Sequence, residues 1–172
     1  MRRAALFLAL LAAPAAAQSD DLLECPTTQM TAAFRDKLAA AMLGPDSPDT
    51  DAMLELLAAA AGRCADQHGL AAEKREAFFL YAVSRMPHDA FVAKLGTVGI
   101  SAAVIDDALG FGPGRSNPII KGNLSAEQLD KLLGALSAQG VDIDRVPQPT
   151  WEMVGGYAAA TSQMWQAQAK LR

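Results

Sequence analysis

Apolar residues recur at spacings of three and four along most of the chain, and the elements they predict are all helices. The first pattern runs from Pro26 to Leu43 through Met30, Phe34, Leu38, Ala41 and Met42. The second runs from Pro48 to Asp66 through Met53, Leu57, Ala60 and Cys64. Between them Gly44-Pro45-Asp46-Ser47-Pro48 stops one helix and offers Ser47 or Asp49 to cap the next. At about 1.5 Å per residue each arm is about 25 Å long. A hairpin of two such arms returns Cys25 and Cys64 to the same end, within bonding reach of each other.

The pattern changes over Ala71–Met86. Its first half holds Glu73, Lys74, Arg75 and Glu76, and its second half is apolar nearly all round, as in the central helix of a bundle. Pro87 is expected to end that helix. Two shorter ones follow, His88–Leu95 and Ser101–Leu109, the second with Ser101 as its N-cap. Gly- and Pro-rich sequence over residues 110–123 then predicts the longest loop and the expected hinge. Ser125-Ala126-Glu127-Gln128 reads as a capping box for a helix ending at Gly140, with Leu129, Leu132, Leu133 and Leu136 on its buried face. A last helix is predicted from Thr150 nearly to Leu171. No alternating stretch is long enough for a sheet. The expectation is an all-α single domain over residues 18–172, a bundle of six to seven helices with a disulfide-linked N-terminal helical hairpin.

The first residues change the compartment. Met1-Arg2-Arg3, the apolar run 4–13 and Pro14-Ala15-Ala16-Ala17 have the three parts of a signal peptide, with cleavage expected after Ala17. The run is short for a membrane span, and no cysteine follows the cut to carry a lipid. Loss of Arg2 and Arg3 leaves thirteen basic against nineteen acidic side chains, a net charge of −6. Such a surface repels nucleic acid and anionic membranes. Sec-type export to a bacterial periplasm or beyond is therefore expected, with no nucleic-acid partner and no stable membrane insertion after cleavage.

Export makes a Cys25–Cys64 disulfide the first reading of the only two cysteines. Closing that loop stabilises the fold by about 4 kcal/mol on the chain-entropy account. The alternative is a metal set of Cys25, Cys64, His68 and His88, which has the right atoms but no C-x2-C or H-x3-H pair to prearrange them. No cofactor is expected. Ser84, His88 and Asp89 are neighbours in sequence, which supplies no triad geometry, and neither G-x-S-x-G nor H-E-x-x-H occurs. No catalytic residue is predicted, and His88 reads as a cap or surface residue. The Gly110–Asn117 loop lacks the Gly-Lys-Ser/Thr of a P-loop. Val92–Leu109 has a helix-turn-helix cadence, but Asp106-Asp107 stands where phosphate-facing bases are wanted.

The last helix is the candidate surface. Trp151 and Trp165 share a stripe, and Gly155 and Gly156 leave a smooth patch beside Tyr157. These five residues could meet an apolar ligand or another periplasmic protein, although docking on the chain's own Phe78, Phe79 and Tyr81 is favoured. Exported, helical and with one cysteine pair, the chain loosely resembles the small acid-stress chaperones of the periplasm, but it is longer, is not lysine-rich and shares no motif with them. The expected function is a non-enzymatic binding or interaction module. The alternatives are a small enzyme without a recognisable motif or a Cys/His metal-binding protein. An enzyme would show titratable groups converging in a cleft; a binding module would show an apolar groove without them.

Overall fold

A computed structural model of the chain describes residues 15–43 and 48–172, so most of the expected leader and the Gly44–Ser47 turn lie outside the described residues. The described residues form seven α-helices: α1 (Ala15–Thr28), α2 (Ala32–Ala41), α3 (Pro48–Gln67), α4 (Arg75–Thr97), α5 (Ala102–Leu109), α6 (Ala126–Ala138) and α7 (Gln148–Leu171). Short 3-10 turns at Ala72–Lys74 and Ile143–Arg145 lead into α4 and α7, and no strand occurs among these residues. The helices pack as one bundle.

The first helical pattern is divided in the structure. Pro26 lies near the end of α1, where it has no N–H for the Leu22 carbonyl. The Thr27 and Thr28 hydroxyls donate to the Glu24 and Cys25 carbonyls at 2.6 and 2.8 Å. Thr31 then starts α2 as an N-cap, its hydroxyl accepting from the Phe34 N–H at 3.2 Å. Cys25 therefore lies near the end of a separate helix, α1. Its bond to Cys64, with Cα atoms 5.9 Å apart, ties α1 to α3 instead of closing a simple two-helix hairpin.

The second departure is at Pro87. The sequence predicts a stop there, yet α4 continues through it for 23 residues in all. An internal proline costs about 3 kcal/mol. Pro87 is buried, as are Met86, Ala90 and Phe91 around it, and that packing outweighs the lost hydrogen bond. The residues before the proline join Leu38, Leu57 and Cys64 in one apolar cluster. Those after it join Val104, Leu132, Leu136 and Val154 in the larger one. One long helix thus serves both halves of the core.

α7 lies antiparallel along α4, because the contacts run in opposite order on the two helices. Lys74 Nζ donates to the Leu171 carbonyl at 2.7 Å, Ser84 Oγ to Gln163 Oε1 at 3.3 Å, and the His88 ring lies over that of Tyr157. Farther along, Gly156 lets α7 approach Phe91: a Cβ there would lie 2.9 Å from Phe91 Cζ. The Lys74 ammonium also sits well for the negative end of the α7 dipole. The other helix ends match the sequence more closely. Ser125 and Gln128 form the capping box of α6, and Gly110 ends α5 in the left-handed conformation at φ 74°. α7 begins at Gln148, two residues before the expected cap Thr150, which is buried in its first turn. No helix among the described residues is long and apolar enough to cross a membrane.

Candidate functional site

The α4–α7 seam carries two unlike features, a closed polar network and an open apolar groove. The network grows from an i, i+4 stripe on α4: Tyr81, Arg85 and Asp89. The Arg85 Nε donates to both Asp89 carboxylate oxygens at 2.8 and 3.0 Å, and its Nη1 donates to the Tyr81 hydroxyl at 2.9 Å. Its Nη2 reaches Glu24 of α1 at 3.1 Å. His88 Nδ1 lies 2.9 Å from Asp89 Oδ1, and its ring centroid lies 5.2 Å from that of Tyr157. The Tyr157 hydroxyl in turn donates to Asp106 of α5 at 2.7 Å.

Protonation states follow from these partners. Burial works to raise the Asp89 pKa, but the His88 hydrogen bond and the Arg85 charge outweigh it and hold the carboxyl below its usual range. Asp106 is the reverse. Burial raises it, and the Tyr157 hydrogen bond and the His88 charge recover only part of the shift. Tyr157 itself is pushed up by burial and by the Asp106 carboxylate. Both tyrosines are buried and serve as donors or acceptors, not as acids.

The groove lies on the same seam, with a different wall. Residues 117–120 are fastened along α7 by side chains: Gln166 Nε2 donates to the Asn117 carbonyl at 2.7 Å, and Ser162 Oγ to the Pro118 carbonyl at 2.8 Å. Ser162 Oγ also accepts from the Ile120 N–H at 2.9 Å. Ile120 turns into the core, while Ile119 and Lys121 on either side of it stay exposed. Between this strap, Leu80 of α4 and the Gln163–Lys170 face of α7 lies a groove of about 490 Å³. Leu80 is 41% and Ile119 61% exposed, so the rim is apolar and uncovered by the described residues. Lys121 and Lys170 are the charged groups on its lining, and neither has an ion pair among the described residues.

The residues singled out from the sequence are distributed unevenly. Cys25 and Cys64 are bonded to each other, with Gln29 Nε2 donating to Cys64 Sγ at 3.1 Å, so neither sulfur is a thiolate ligand. His68 is exposed at the end of α3, and His88 is held in the network, so the Cys/His set is not assembled. No group of three or more His, Cys, Asp or Glu side chains among the described residues is disposed to hold a metal. Ser84 donates to Gln163, and no hydrogen bond joins it to His88. Of the α7 surface, Tyr157 is fully buried, and Gly156 is filled by Phe91 and Leu43. Trp151 and Trp165 are partly buried against the core, and Gly155 faces open space. These five residues therefore point in several directions and do not make one face. Arg115 is paired with Asp107 at 2.6 Å, and the Asn117 amide closes the glycine loop on itself through Gly112.

Sequence reasoning missed Leu80, Ile119, Lys121, Gln166 and Lys170 as a set. The one available signal was the Ile119-Ile120 pair inside a Gly- and Pro-rich loop. Three further clefts of similar size lie elsewhere, and none of the four is lined by Arg85, His88, Asp89 or Asp106. No protein-family model matches this chain, and comparison with curated proteins and with solved structures finds no significant match to either.

Proposed function

We propose that the protein is an exported, non-enzymatic binding protein that takes an apolar ligand in the groove between α4, α7 and the 117–121 strap. One observation carries this reading: the uncovered Leu80 and Ile119 side chains face a groove whose lining has no carboxylate or histidine. Asp89 and Asp106, whose pKa values are shifted, lie in the closed network and line none of the four clefts described above. Groove size supports the reading as well, since about 490 Å³ falls within the range of about 300–1,000 Å³ usual for small-molecule sites. Export is supported by the Arg2–Ala17 pattern and by the disulfide, which persists in oxidising compartments.

The test is titration with N-phenyl-1-naphthylamine, a neutral apolar fluorophore. Saturable binding of one molecule per chain is expected. Leu80→Asp should abolish it and leave the melting temperature within a few degrees, because the side chain is already half in water. An absence of saturable binding, or binding that survives Leu80→Asp, overturns the proposal.

A further inference from the structure

We infer that the ligand of this groove is a single-chain amphiphile with a carboxylate head, a long-chain fatty acid in chemical class; the inference rests on the groove being the binding site. The apolar part follows from Leu80, Ile119, Ile120 and Ala167, which offer hydrocarbon to an acyl chain. The head group follows from the polar atoms that remain once the protein's own hydrogen bonds are counted. Gln163 uses its oxygen to accept from Ser84, which leaves its amide N–H groups to donate. Gln166 spends an N–H on the Asn117 carbonyl, and the Ser162 hydroxyl both donates to Pro118 and accepts from Ile120. The charged groups left over are the ammoniums of Lys121, beside the strap, and Lys170, on α7.

The chain has nineteen acidic against fifteen basic side chains, and six ion pairs to carboxylates occupy Arg75, Arg85, Arg115, Lys131 and Arg145. Lys121 and Lys170 are instead placed where no carboxylate lines the groove. An apolar lining with two cations and no carboxylate complements an anion carrying a hydrocarbon tail. It does not complement a neutral lipid, whose head needs no charge, or a cationic one, which the lysines repel.

The experiment uses the full chain and the fluorophore named above. Dodecanoate, dodecanol and dodecyltrimethylammonium are compared as competitors at pH 8 and low salt, where screening is weakest. Dodecanoate is expected to displace the probe at a concentration about tenfold below that of dodecanol, with the cation weakest, since exposed pairs contribute up to about fivefold each. The Lys121→Gln/Lys170→Gln double substitution should remove that advantage, as should raising the salt. Both lysines are exposed, so the variant is expected to fold, and its probe titration verifies that it has. Equal competition by dodecanol, or an advantage that survives the double substitution, overturns the head-group inference while leaving the groove standing. Failure of the probe to bind wild-type protein removes the groove itself.

Discussion

On one flank of the α4–α7 seam, Glu24, Arg85, Asp89, His88, Tyr157 and Asp106 satisfy one another through short contacts that link α1, α4, α5 and α7. On the other flank Ser162 and Gln166 of α7 fasten a loop, and Leu80 of α4 and Ile119 of the loop are left in water. The first region has the perturbed ionisation often associated with catalysis, yet its charges are spent on each other. The second has no carboxylate or histidine on its lining, yet it has the open space. Perturbed pKa values point to function only where an unfilled cleft accompanies them; otherwise they report the cost and reward of burying a polar joint.

The sharpest way to break that contrast is Asp89→Asn. The substitution removes the carboxylate that accepts from Arg85 and faces His88, leaving a half-buried guanidinium with Glu24 as its remaining anion. A loss of about 2 kcal/mol at neutral pH is expected. The folded pKa of Asp89 is lowered, so its stabilisation is present above the ordinary carboxylate value of about 3.9 and disappears as pH falls through the lower folded value. Denaturant melts of both proteins should therefore differ at pH 7 and converge as pH falls below the folded value. Probe binding in the groove should be unchanged. If Asp89→Asn instead spared stability and abolished ligand binding, the two flanks would be one site.

Much of this architecture was legible in the chain. The 3.6-residue pattern gives helices, Ser125 with Gln128 gives the α6 capping box, and the single pair of cysteines gives the Cys25–Cys64 bond. What was not legible depends on tertiary packing. Pro87 reads as a stop until Ala90 and Phe91 are seen buried beyond it. His88 reads as a surface residue until Tyr157, 69 positions later, is laid against it. The groove needs Ser162 to meet Pro118 and Ile120 across more than forty residues, which no local pattern encodes. Leu80, one of several apolar residues in a row, gave no hint that it alone of Phe78–Ala82 would remain exposed.

The two adjacent glycines of α7 sharpen the comparison within a single helical turn. Gly156 is on the packed side, where a Cβ would lie 2.9 Å from both Phe91 Cζ and Leu43 Cδ2. Leu43 is 43% exposed and can yield, but Phe91 is buried and cannot swing aside. Overpacking costs about 1–3 kcal/mol, against a helix-propensity gain of about 1. Gly156→Ala should therefore destabilise by about 1 kcal/mol net. Gly155 has open space around the same position, so Gly155→Ala should stabilise by about 0.5–1 kcal/mol. Thermal melts of the two single variants should move in opposite directions. A shift of the same sign in both would mean that α7 does not approach α4 as described.

The smallest effect is expected at the far end of the network, where α5 joins it through Asp106. Burial raises the folded pKa of this carboxyl above its unfolded value, so the native state holds the proton more tightly than the unfolded chain does. Between the two values the native state binds more protons, and stability therefore falls as pH rises through that window. Asp106 alone thus opposes Asp89: acid helps one and harms the other. Asp106→Asn keeps an oxygen to accept from the Tyr157 hydroxyl and removes the titration. The variant should be equal to or slightly more stable than wild type at pH 8, by about 1 kcal/mol or less. That margin should shrink as pH is lowered toward about 4, where the wild-type carboxyl has taken up its proton. Differential scanning calorimetry from pH 8 to pH 4 measures the difference directly. A wild type that gains on the variant as pH rises would mean that the Asp106 carboxylate is a net stabiliser, and the network would then be better matched to its charges at this joint than burial alone allows.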